Sequence, residues 1–170
     1  MRYELPEKKK LVHESVMSIR WGDMDALGHV NNTVYFRYLE TARIDWLQSI
    51  RCNPDPQGHG PVIANAFCNF YRQLEYPGDI VAKLYVSDPG RTTFETWCTL
   101  ERTDQPGVIS AAGGATVIWV DFPKQKAIDL PDWVREVVQA MPLHTSPRLA
   151  ELSGVAGALD KDGYLLQAQP

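Results

Sequence analysis

Asn31-Asn32-Thr33-Val34-Tyr35-Phe36-Arg37-Tyr38-Leu39-Glu40-Thr41-Ala42-Arg43-Ile44-Asp45-Trp46-Leu47-Gln48-Ser49-Ile50 decides the fold. Tyr35, Leu39, Ala42, Trp46 and Ile50 recur at helical spacing, and Asn31 or Asn32 can cap the helix start. Phe36 and Leu47 widen the apolar stripe, so most of this helix is expected to be wrapped by other structure. Glu40 and Arg43, three residues apart, can pair on its rim.

Outward from the helix, strands are the predicted neighbours on both sides. Val12 to Arg20 alternates well enough for a first strand, with Met17 and Ile19 facing opposite to Val16, Ser18 and Arg20. Arg51 to Gly60 reads as a loop. Four strand runs follow: Val62 to Tyr76, Ile80 to Ser87, Arg91 to Arg102 and Val108 to Phe122. Turns containing Pro-Gly separate them, which predicts an antiparallel meander. Gly113-Gly114 marks an expected bulge or bend in the last run. One buried helix cannot be covered by a flat sheet. A curved five-stranded antiparallel sheet wrapped round the helix satisfies its burial, an α+β arrangement. A short helix is expected within Leu130 to Val138.

These elements divide the 170 residues into a polar arm (1–13), one domain (14–141) and a C-terminal extension (142–170) of unassigned role. Hydrophobic residues make up 44% and charged residues 22%, enough apolar content for one real core. A net charge of −4 gives no reason to expect nucleic acid or an anionic membrane as partner. Neither a secretory signal nor a stretch of membrane-spanning length is read from the chain. The three cysteines, Cys52, Cys68 and Cys98, have no finger or redox spacing and read as reduced thiols in a cytoplasmic protein. His13, His59 and His144 share no metal-ligand spacing, so no metal or other cofactor is expected.

The chemistry concentrates in Trp21 to Asn32, a loop just before the helix that holds two acids, Asp23 and Asp25. Unpaired N–H groups in a first helical turn can bind a carbonyl oxygen that gains negative charge. A carboxylate beside them can attack the carbonyl carbon or deprotonate water. Asp23 is read as a structural residue bonding the loop or Arg20. Histidine is a common proton carrier, but His29 is read as shaping the loop or touching substrate.

Arg20-Trp21-x-Asp23-x-Asp25-x-x-Gly28-His29-Val30-Asn31-Asn32-x-x-Tyr35-x-x-Tyr38-x-Glu40-x-x-Arg43 strongly resembles the 4-hydroxybenzoyl-CoA thioesterase-like hotdog family. Tyr76-Pro77-Gly78-Asp79 resembles that family's turn between its second and third strands, and Arg91-Thr92-Thr93-Phe94 its basic-then-Ser/Thr-Phe segment. The resemblance covers roughly residues 14–137. It implies a hotdog fold and hydrolysis of an acyl-CoA to acid and CoA, with Asp25 catalytic and a backbone amide at about Asn32 polarising the thioester carbonyl. Asp25 can be nucleophile or general base. Gly28, His29, Val30, Asn31, Tyr35, Arg91, Thr92 and Thr93 are the implied substrate contacts, with Arg91 or Lys124 near the CoA phosphates. It further implies homodimers or homotetramers with active sites between subunits. Acyl carrier protein thioesterase, non-catalytic acyl-CoA module and hotdog dehydratase are the competing readings. No Gly-x-Ser-x-Gly elbow supports a serine hydrolase.

Overall fold

A computed structural model of the chain describes residues 4–53 and 55–139. The proposed C-terminal extension and the end of the proposed domain, residues 140–170, lie outside them.

Strand β1 (Lys10–Ile19) leads through a single 3-10 turn (Trp21–Asp23) into helix α1 (Asn32–Ser49). Strands β2 (His59–Phe70), β3 (Gly78–Ser87), β4 (Thr93–Arg102) and β5 (Ile109–Asp121) follow. A two-residue β6 (Lys126–Ala127) and a short helix α2 (Asp132–Val138) complete the described residues. β1 starts at Lys10, so the last residues read as a polar arm belong to the sheet. All pairings are antiparallel, in the order β1-β3-β4-β5-β2, with β6 added on β5. α1 packs against all five long strands. This is the α+β hotdog architecture.

The expected four-strand meander holds only for β3, β4 and β5. β2 pairs with β5, not with β3, placing β2 and β1 at opposite edges. Residues 71–77 are therefore a crossover between sheet positions, although Val62 to Tyr76 had looked like one strand. Leu74 fixes this crossover: it is fully buried, and its carbonyl accepts the Val30 N–H at 2.8 Å. Its own N–H donates to the Tyr35 hydroxyl at 3.1 Å. The chain after β2 is thus drawn across the start of α1. That path builds one wall of the cleft described below.

The core lies between α1 and the inner face of the sheet. Trp46 stacks edge-on against Phe94 at 6.1 Å, surrounded by Ile80, Leu84, Leu100 and Val117, all nearly inaccessible to solvent. Each such side chain contributes about 1.5–3 kcal/mol through burial. α1 buries Tyr35, Leu39, Ala42, Trp46 and Leu47 as its spacing predicts, whereas Phe36 and Ile44 stay exposed. Phe36 therefore does not widen the buried stripe. Gly113-Gly114 makes no bulge; β5 pairs in register through it. A Cβ on Gly113 would stand 2.5 Å from both Leu39 Cδ1 and the Phe67 carbonyl, so glycine there lets the helix approach the sheet. No helix of the described residues is long and apolar enough to cross a membrane.

Candidate active site

Asp23 and Asp25 are separated by one residue and occupy different environments. Asp23 is 6% exposed, and its Oδ2 accepts the Arg20 N–H at 2.9 Å and the Tyr38 hydroxyl at 2.7 Å. Its carbonyl accepts the Asn31 N–H at 2.9 Å. Asp23 ties the loop to β1 and α1, the structural role its spacing suggests.

Asp25 is half-buried and faces a cleft. The Leu27 N–H donates to its Oδ1 at 2.8 Å, with a longer contact of 3.4 Å from the His29 N–H. Its backbone closes the loop: Asp25 N–H donates to the His29 carbonyl, and Gly28 N–H to the Asp25 carbonyl. Gly28 adopts φ +78°, a left-handed conformation that glycine takes without a Cβ penalty. Among the described residues nothing bonds to Oδ2. The hydrogen bonds to Oδ1 orient the carboxylate.

The helix start supplies the second element. Asn31 is the N-cap, its Oδ1 accepting the Thr33 N–H at 2.9 Å and the Thr33 hydroxyl at 2.7 Å. The Val34 N–H donates to the Asn31 carbonyl at 2.9 Å. The Asn32 N–H has no acceptor among the described residues, and Asn32 lines the same cleft as Asp25. The positive end of the α1 dipole lies at the same place.

The cleft measures about 390 Å³. Besides Asp25 and Asn32, its walls include His29, Val30 and Tyr35 from the predicted segment. His29 Nε2 lies 3.6 Å from Glu75 Oε1. Burial raises the Tyr35 hydroxyl pKa, partly offset by the Leu74 hydrogen bond, so the group keeps its proton. Burial also pushes the Cys68 and Cys98 thiols up to about 12, so neither is a ready thiolate nucleophile.

Gly28 and Asn31 hold the loop and cap without lining the cleft. Arg91, Thr92, Thr93 and Lys124 lie elsewhere in this chain, Arg91 paired with Asp129 and Lys124 with Asp121 at 2.8 Å. Phe70, Tyr71, Arg72 and Gln73 stand in the wall unanticipated. Their signal was the break between β2 and the buried Leu74, hidden because the run reads as continuous strand. Arg72 is the cation of the cleft lining and forms no ion pair among the described residues. No cluster of three or more His, Cys, Asp or Glu among them can hold a metal ion.

The fold is that of a hotdog domain, with Asp25 and the start of α1 at Asn32 lining one cleft. The chain belongs to the thioesterase-like superfamily, whose family model matches residues 19–138. It is 27% identical over 128 residues to the chloroplastic acyl-acyl carrier protein thioesterase ATL3 of Arabidopsis thaliana, covering 72% of this chain and 65% of that protein. The chain thus spans somewhat under two thirds of that relative's length. The PA2801 protein of Pseudomonas aeruginosa is similar in structure, with a TM-score of 0.72 and 29% identity over 76% of this chain and all of that one. A 1,4-dihydroxy-2-naphthoyl-CoA thioesterase of Synechocystis shares the fold, with a TM-score of 0.67 and 13% identity, over 74% of this chain and 93% of its own.

Proposed function

We propose that the chain hydrolyses an acyl-CoA thioester to the free acid and CoA in the cleft at the start of α1. The observation that carries this reading is that Asp25 and Asn32 line one cleft, with the Asp25 Oδ2 and the Asn32 N–H both unpartnered among the described residues. With the thioester oxygen on the Asn32 N–H, the carbonyl carbon becomes electrophilic. In one course Asp25 takes a proton from water as the water oxygen attacks that carbon. The tetrahedral intermediate collapses, the C–S bond breaks, and the departing sulfur takes the proton. In the other, Asp25 itself attacks and displaces the CoA thiolate, and water then cleaves the mixed anhydride. Rapid quench and mass spectrometry for an acyl group on Asp25 separates the two.

Arg72 is the residue to hold a CoA phosphate, because Arg91 and Lys124 already have acidic partners. The exposed edge strand β2, with Val62 and Ile63 open to solvent, supports assembly as a homodimer or homotetramer with the cleft between subunits. Arg91, Thr92, Thr93 and Lys124 would then act on a neighbouring subunit's substrate. The free thiols of Cys52, Cys68 and Cys98 suit a reducing cytoplasm. The likeness to the plant enzyme favours one alternative, an acyl group carried by acyl carrier protein.

The test is release of free thiol from a panel of acyl-CoA and acyl carrier protein thioesters by the wild type and Asp25→Asn. Turnover by the wild type that the variant loses supports the reading. Undiminished turnover by the variant removes Asp25 from the mechanism. Tight binding without turnover identifies a non-catalytic module.

A further inference from the structure

Asn32, Phe36, Leu39 and Arg43 follow one another at spacings of four, three and four, a single stripe along about three turns of α1. Asn32 lines the catalytic cleft. Phe36, Leu39 and Arg43 line a second cavity, about 20 Å³, against Ala66 of β2, Leu84 of β3 and Cys98 of β4. On β2, Phe70 borders the cleft and Ala66, four residues earlier on the same face, borders this cavity. Both spaces therefore lie in one seam between α1 and the edge strand. Phe36 and Ala66 are exposed and form its mouth, whereas Leu39, Arg43, Leu84 and Cys98 are buried.

Arg43 is 9% exposed. Its guanidinium has no ion pair and no hydrogen bond among the described residues, and the expected pair with Glu40 does not close. Glu40 points to solvent one turn away and acts only through its field. Desolvation pulls the Arg43 pKa down, with Glu40 opposing. The Arg43 nitrogens are not among the buried side-chain atoms left without a partner, so the guanidinium keeps contact with solvent, and a carboxylate is the group whose geometry matches its fork.

We infer that the seam receives the acyl group and that Arg43 binds a carboxylate at the far end of it, so that preferred substrates are CoA monothioesters of dicarboxylic acids. This rests on the proposed thioester hydrolysis. The space at Arg43 is water-sized, so the chain end enters as the exposed Phe36 ring turns aside.

The experiment compares methyl-ended and ω-carboxyacyl-CoAs of matched length, from short to long, by kcat/KM with the wild type. Calorimetric binding of the same pairs to Asp25→Asn runs beside it, which reads the preference even if no thioester is hydrolysed. At the best length the ω-carboxy substrate is expected to lead by at least about tenfold. Arg43→Met removes that lead without equal loss on the methyl-ended partner, and Arg43→Lys keeps part of it. Equal constants for both series at every length overturn the inference, as they would if an acid of a second copy satisfied Arg43. Parallel loss on both series in folded Arg43→Met does the same. Hydrolysis failing while the binding preference stands would sink the proposed reaction and leave the Arg43 assignment intact.

Discussion

The Tyr38 hydroxyl donates to Asp23 Oδ2 at 2.7 Å inside the core, joining the middle of α1 to the loop that carries Asp25. Burial, then the Asp23 carboxylate, raise the Tyr38 pKa far above the ordinary tyrosine value, so it remains a donor. Removing either partner leaves the other buried without its mate. Asp23→Ala and Tyr38→Phe should each destabilise the fold by about 1–3 kcal/mol. In urea unfolding the double variant should lose less than the sum of the singles. Additive losses would show that the bond does not couple loop to helix.

Asp25→Asn keeps a carbonyl oxygen to accept the Leu27 N–H, so the loop should survive. What it loses is the free carboxylate oxygen. A fall in kcat of about a hundredfold or more is expected, with an unchanged thermal midpoint. Lost activity accompanied by a lowered midpoint would make Asp25 a loop anchor instead.

The contrast between the two acids explains how much could be read beforehand. Helical spacing and the Asn cap were visible because α1 obeys a local period, and the motif pointed to Asp25 over Asp23. The strand runs were equally visible, since alternation and Pro-Gly turns are local. Strand partners are not local: β2 lies beside β5 because residues 71–77 cross over, held by Leu74 to Val30 and Tyr35. No period in the sequence marks that tether. Arg72 was missed for this reason. Three-residue spacing pairs Arg43 with Glu40 on the solvent side because it does not say which side chain the sheet covers.

Arg72→Ala tests the cleft's cation. KM for an acyl-CoA should rise severalfold, while the matching acyl-pantetheine, which has no nucleotide phosphates, should be unaffected. The wild-type KM for acyl-CoA should also climb with salt, and more steeply than the variant's. A change of equal size on both substrates would place Arg72 in loop structure.

Gly113→Ala probes the approach of helix to sheet. Its Cβ would meet Leu39 Cδ1 and the Phe67 carbonyl at 2.5 Å, and the backbone oxygen cannot turn away. Overpacking of this kind costs about 1–3 kcal/mol. Gly107→Ala has open space but sits at φ +81°, so its loss should come from backbone strain and be relieved by Gly107→Asn, which tolerates that conformation. Thermal melts of the three variants separate crowding from strain.

Glu101 gives the fold an acid limit. It is 6% exposed, with Lys83 Nζ 2.9 Å from Oε1 and the Gly107 N–H 2.9 Å from Oε2. Burial pushes its pKa up, but the Lys83 and Gly107 hydrogen bonds outweigh it and hold the carboxyl below its ordinary range. A folded-state pKa below the unfolded one stabilises the fold above the unfolded value, and that stabilisation is lost as pH falls through the folded value. Lys83 is shifted the other way, upward, by the same bond. Its contribution is present below the ordinary lysine value and is lost as pH rises through the raised one. The wild type should therefore lose thermal stability more steeply than Glu101→Gln, whose amide does not titrate, as pH falls below the ordinary glutamate value. Superimposable pH profiles for the two proteins would show that the Lys83–Glu101 pair contributes nothing to the fold.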